Sequence, residues 1–186
     1  AALLTLDLQL AALDAGMTLR DASAFNVQLR GATPVLIDSL SFARREPDAP
    51  WDAYRQCCEH FLAPLALMAT RDVRLGRMLR AWPDGIPLDL ASALLPRRTR
   101  LRLGLATHLH LHARAQRRHG EAGGERSRTV RIPTERLRAL VTSLRGTVAG
   151  LRWEPEGTEW ADYADHTSYD AAATAAKEQE IGRAHV

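Results

Sequence analysis

Apolar residues mark out most of the chain's elements. Leu3, Leu4, Leu6, Leu8, Leu10 and Leu13 run at spacings that suit an amphipathic helix over residues 1 to 15, and Gly16 follows where a helix needs a permissive C-terminal residue. Val27 to Leu29 and Val35 to Ile37 are β-prone runs either side of Arg30-Gly31-Ala32-Thr33-Pro34, which predicts a small hairpin. Pro50 stands at the expected start of the next helix, where Trp51, Tyr54, Cys58, Phe61, Leu62 and Leu65 recur at helical spacing. Pro64 should kink or divide that helix, because its ring clashes with a carbonyl one turn back. Short helices are expected over Asp72 to Ala81 and Pro87 to Leu95, separated by a turn at Trp82-Pro83-Asp84-Gly85, and the helical theme continues from Leu101 to Arg118. Gly120 to Arg131 is polar and Gly-rich and reads as an exposed, protease-sensitive linker. Beyond it Leu137, Leu140, Val141, Leu144, Val148 and Leu151 form one stripe on a helix from about Thr134 to Leu151.

The pattern gives a mainly α chain: a helical domain over 1–118 carrying a small β-hairpin at about 27–37, a linker at 119–132, and a further helix with trailing residues at 133–179. Both ends look cut. The apolar pattern is already running at Ala1, so an upstream segment is expected. Glu180 to Val186 resembles the translation of a common sequencing-adapter oligonucleotide, and Arg183 and His185 therefore enter no site argument.

Composition narrows the class. Of 186 residues, 46% are hydrophobic and 25% charged, which is ordinary for a globular protein. No run approaches the length of a membrane span, and the amino end lacks the layout of a secretory signal. A cytoplasmic protein with no membrane partner is the expectation. Cys57 and Cys58 are adjacent, which suits buried thiols better than a disulfide. The formal charge is only +3, yet Arg97 to Arg118 holds seven arginines and no acid. That stretch is either a solvated helix face or a polyanion-binding surface; without interleaved aromatic residues to stack on bases, nucleic acid is not the expected partner.

The candidate chemistry lies in Leu19-Arg20-Asp21-Ala22-Ser23-Ala24-Phe25-Asn26, followed by the hairpin and Ile37-Asp38. Protein kinases and antibiotic phosphotransferases place a loop H-R-D-x-x-x-x-N after a helix and a metal-binding Asp after a short hairpin, and this segment resembles that order. The resemblance implies a kinase C-lobe-like core in which Asp21 is the catalytic base, Asn26 and Asp38 are ligands for Mg2+, and ATP is the phosphoryl donor. Leu19 departs from the pattern where the family has His, and Asp38-Ser39-Leu40 replaces Asp-Phe-Gly. The glycine-rich loop and strand lysine that close an ATP site would lie upstream of Ala1. His108-Leu109-His110-Leu111-His112 has the i, i+4 spacing of a metal pair, but no carboxylate stands near and arginines follow, so a polar helix face is the better reading.

Longer phrases, among them Pro34-Val35-Leu36-Ile37-Asp38-Ser39-Leu40-Ser41-Phe42, Pro50-Trp51-Asp52-Ala53-Tyr54 and Asp84-Gly85-Ile86-Pro87-Leu88-Asp89-Leu90, resemble the amino-terminal half of a bacterial family of class I S-adenosylmethionine-dependent methyltransferases, some of them named nodulation proteins. Trp160-Ala161-Asp162-Tyr163 and Thr167-Ser168-Tyr169 match the lead-in to that family's methyltransferase domain, which would begin just after Lys177. The resemblance implies a parent protein that uses S-adenosylmethionine. The cofactor loop itself is not in this chain, because no strand leads into a Gly-rich turn after Leu151.

Three functions follow: an amino-terminal fragment of a methyltransferase with a degenerate kinase-like core, inactive alone; a phosphotransferase that uses Asp21, Asn26 and Asp38; or a polyanion-binding module. The methyl or phosphoryl acceptor is not legible. On the kinase-like reading Asp21, Asn26 and Asp38 converge on one cleft.

Overall fold

A computed structural model describes residues 1–115 and 131–153. The greater part of the expected linker and all of the segment beyond Trp153, including the adapter-like tail, lie outside the described residues. Helix α1, Ala2–Asp14, buries Leu6, Gln9 and Leu13 along one face. It ends at Gly16, whose φ of 68° turns the chain into strand β1, Met17–Leu19. Strands β2, Val27–Arg30, and β3, Thr33–Leu36, form the expected hairpin, with Gly31 at φ 61° in its turn. The sequence did not reveal β4, Phe42–Arg44, which returns antiparallel to β1 with Leu19 opposite Phe42 and Met17 opposite Arg44.

The next helix begins at Tyr54, four residues later than Pro50, and runs without a break through α2, Tyr54–Cys57, a π-helical turn, Cys58–Leu62, and α3, Ala63–Thr70. Pro64 therefore does not divide it. A proline ring in an α-helix collides with the carbonyl one turn back, here that of His60. The wider π turn, in which the Ala63 N–H reaches Cys58 O, takes up that misfit immediately before the proline.

Over Asp72 to Ala81 the chain is a 3-10 helix, Val73–Arg80, rather than an α-helix. Its Leu75 and Met78 both pack on the core, a spacing that three residues per turn aligns on one face. Gly76 lies so close to α3 that an added Cβ would sit 2.7 Å from Met68 Sδ. Helix α4, Leu88–Leu94, occupies the expected place between Pro87 and Pro96. A 3-10 turn, Arg97–Leu101, leads to α5, Leu103–Leu105, and a second π-helical stretch, Ala106–Leu111.

Helix α6, Thr134–Ala149, buries the predicted stripe Leu137, Val141, Leu144 and Val148. It packs along α1, with ion pairs Arg138–Asp14 and Arg145–Asp7 at the rim. The guanidinium of Arg45 also reaches this part of the chain, donating to Ile132 O and Ala49 O at 2.7 Å and to Thr134 Oγ1 at 2.9 Å, while the Ile132 N–H bonds Asp48 O. Residues Ala1–Trp153 thus make one compact unit around Leu6, Leu19, Leu62, Leu67, Ile86, Leu105, Leu137 and Leu144. It is mainly helical with small β elements. No helix among the described residues is long and apolar enough to cross a membrane.

Candidate active site

Strand β1 delivers the Asp21 loop, and four hydrogen bonds from Gln9, Trp51 and Gln56 fix it. Gln9, fully buried on α1, accepts the Leu19 N–H through Oε1 at 2.7 Å, and Trp51 donates its indole N–H to Leu19 O at 2.6 Å. In the first turn of the next helix, Gln56 accepts the Ala22 N–H at 2.8 Å and donates from Nε2 to Asp21 Oδ1 at 2.8 Å. The same Oδ1 accepts the Ser23 N–H at 2.9 Å, an Asx turn that starts the Ala24–Asn26 3-10 turn. One carboxylate oxygen of Asp21 is therefore committed to shaping the loop.

Asp38 lies beside this loop in backbone terms. The Arg20 N–H bonds Ser41 O at 2.7 Å, extending the pairing of β1 with β4, and the Ile37 N–H bonds Asn26 O at 2.9 Å, closing the base of the hairpin. The three residues are thereby drawn in by two main-chain ties. Their side chains are less free than spacing implies: Asp38 accepts from Leu40 N–H at 2.9 Å and from Ser41 Oγ at 2.5 Å. Asn26 differs, for its side-chain Nδ2 is buried without a protein acceptor. Leu19, where kinases carry His, is fully buried.

His60 stands behind the loop. Its Nδ1 accepts the Ala24 N–H at 3.4 Å, and the Phe25 ring meets it edge-on at 5.8 Å. Burial lowers its pKa, against the raising influence of Asp21, and the ring is neutral near pH 7. An apolar groove of about 550 Å3 opens alongside, walled by Ala24, Pro34, His60, Phe61, Leu65 and Met68 among others. Sequence reasoning missed Gln9, Gln56 and His60 as supports. Gln9 left a signal, since it sits three residues after Leu6 and four before Leu13, a polar interruption of a buried stripe.

The other titratable cluster is structural. His108 is fully buried between Tyr54 Oη, 2.7 Å from Nδ1, and Ser143 Oγ, 3.0 Å from Nε2. His112 stacks on the Tyr54 ring at 5.2 Å, and His110 turns the other way to Ser92 and Thr99. Burial lowers the pKa of all three; His108 and His110 serve as neutral hydrogen-bonding posts, while His112 stacks with its Nδ1 buried and without a hydrogen-bond partner. Cys57 and Cys58 are free buried thiols; burial raises both, Cys58 to about 12, which leaves them protonated and unreactive at neutral pH. Among the described residues no three His, Cys, Asp or Glu side chains group as metal ligands.

The chain is similar to the nodulation protein NoeA of Rhizobium meliloti (strain 1021), at 33% identity over 187 residues. The match takes in 97% of this chain but only 39% of that protein, so the chain spans about two fifths of its relative's length. No protein-family model matches the chain, and no solved structure matches it.

Proposed function

We propose that this chain is the amino-terminal, kinase-like part of a longer nodulation-protein-like methyltransferase, and that its own candidate chemistry is the handling of Mg2+ and ATP phosphates by Asp21, Asn26 and Asp38. The observation that carries the reading is the order of strand pairing. A helix, a strand, the D-x-x-x-x-N loop, a hairpin, an Asp and a strand returning to the first follow one another, with main-chain bonds from Arg20 to Ser41 and from Ile37 to Asn26. Two carboxylates and one carboxamide carry the hard oxygen donors that Mg2+ takes. Mg2+ would supply neutralisation of phosphate charge.

The chain's own groups then divide the work. Asp21 would accept the proton of an attacking hydroxyl through its second oxygen, since Oδ1 is held by Gln56 and Ser23. Gln56 and Trp51 position the loop. A second reading, in which this region is a degenerate module and methyl transfer rests on the remainder of the longer protein, is favoured by the commitment of both Asp38 oxygens to their own turn and by buried Leu19.

Titration of the chain with Mg2+·ATP separates the two readings. On the first, saturable binding is seen, Asp21→Asn keeps it while abolishing any phosphoryl transfer, and Asn26→Ala weakens it by about 10-fold or more, the share of one charge-assisted ligand. No binding at millimolar nucleotide leaves the degenerate module. The expected site for S-adenosylmethionine lies outside this chain in either case: calorimetric titration with that cofactor should give no saturable heat, and micromolar binding would overturn the assignment of the cofactor domain to the remainder.

A further inference from the structure

The 3-10 turn Arg97–Leu101 and the residues after it form a spur that neither reading uses. Arg97, Arg98, Arg100 and Arg102 are all exposed, and no carboxylate among the described residues pairs with any of them. Between the last two arginines and just after them stand Leu101 and Leu103, each 85% exposed. Leucines on a surface are common singly; two that protrude almost fully, alternating with cations, are not.

The protrusion is built rather than slack. Thr99, fully buried, donates its hydroxyl proton to Pro96 O at 2.6 Å and accepts from His110 Nε2 at 2.9 Å, while Ser92 holds the other nitrogen of the same ring at 2.8 Å. On the far side Gly104 is pressed against α6 so closely that an added Cβ would lie 2.0 Å from Thr147 Oγ1. The spur is clamped before Arg100 and after Leu103, and the four residues between point outward by construction.

We propose that this spur docks on the surface of an anionic lipid bilayer, with the arginines on lipid phosphates and Leu101 and Leu103 in the acyl boundary. The partner must offer negative charge and an apolar layer at the same depth. A nucleic acid offers the first alone, and Arg97 to Arg118 contains no Phe, Tyr or Trp on which bases could stack. Free phosphate leaves both leucines in water. The headgroup region of a bilayer supplies charge and hydrocarbon within one side-chain length. Surface docking needs no spanning helix, so it is compatible with the absence of one among the described residues. It is independent of the proposal for Asp21, Asn26 and Asp38.

Co-sedimentation of the chain with phosphatidylcholine vesicles, with and without phosphatidylserine, tests it. Binding is expected only with phosphatidylserine, falling as salt is raised. Leu101→Ser with Leu103→Ser should weaken it by about 10-fold or more at unchanged charge, and each of Arg100→Gln and Arg102→Gln by about 5-fold. All four side chains are exposed, so an unchanged melting temperature accompanies these losses. Absence of binding to phosphatidylserine vesicles overturns the proposal. So does binding that the leucine pair leaves intact, or that single-stranded RNA competes away from both the parent and the leucine variant, for the surface would then read charge alone.

Discussion

Gly85→Ala is expected to destabilise the fold by about 2–6 kcal/mol, the sum of a strained backbone and a steric overlap. Gly85 has φ 103°, a conformation that L side chains rarely adopt. An added Cβ would meet Glu59 Cβ at 2.6 Å, the Glu59 carbonyl carbon at 3.0 Å and His60 Cδ2 at 3.1 Å. None of these can swing away, because the next N–H, that of fully buried Ile86, bonds Glu59 O at 3.0 Å. Against a typical stability of about 5–15 kcal/mol, that is a large share. Gly146, in α6 with nothing within 4 Å of its Cβ position, serves as the control, and Gly146→Ala should be neutral to stabilising by up to about 1 kcal/mol. Denaturant midpoints for the two variants would check this; similar midpoints would contradict the close approach at Gly85.

Acid should unfold this chain earlier than its carboxylates alone require. His60, His108, His110 and His112 all have pKa values lowered by burial below the ordinary 6.5. Each is a base kept neutral by the fold, so the unfolded chain takes up protons first. The stability these rings confer is fully present above about pH 6.5 and is lost as pH falls from there toward their folded pKa values, with a slope of about 1.4 kcal/mol per pH unit for each extra proton bound by the unfolded chain. Urea midpoints taken from about pH 7.5 to about 5.5 should therefore fall steeply. Asn or Gln at position 108 should flatten the slope while lowering the plateau. A midpoint that stays level across that range would show that the rings titrate freely in the folded state.

Elements with a long local pattern were legible in the sequence: the α1 stripe, the hairpin around Gly31, α4 between its prolines and the α6 stripe. What escaped depends on distant partners. Strands β1 and β4 are three residues each and gain their identity only by pairing across 22 intervening residues. The π turn before Pro64 and the 3-10 helix at Val73–Arg80 are answers to a clash and to a packing spacing that propensity does not encode. The candidate site was legible as a spacing, Asp21 to Asn26 and on to Asp38. Its supports were not, because Gln9, Trp51 and Gln56 act through single hydrogen bonds to backbone that only the tertiary fold brings within reach.

Arg45 has a bearing on how the chain is joined. With its guanidinium on Ile132 O and Thr134 Oγ1, and with α6 seated on α1, the part before residue 116 and the part after residue 130 are bound by packing, ion pairs and main-chain bonds that owe nothing to the covalent path between them. A backbone severed at any bond in that interval would leave two polypeptides with matched faces, able to reassemble from separate genes. New termini could be opened there and the interval replaced by another domain, since the recognition that completes the core is carried by the faces themselves.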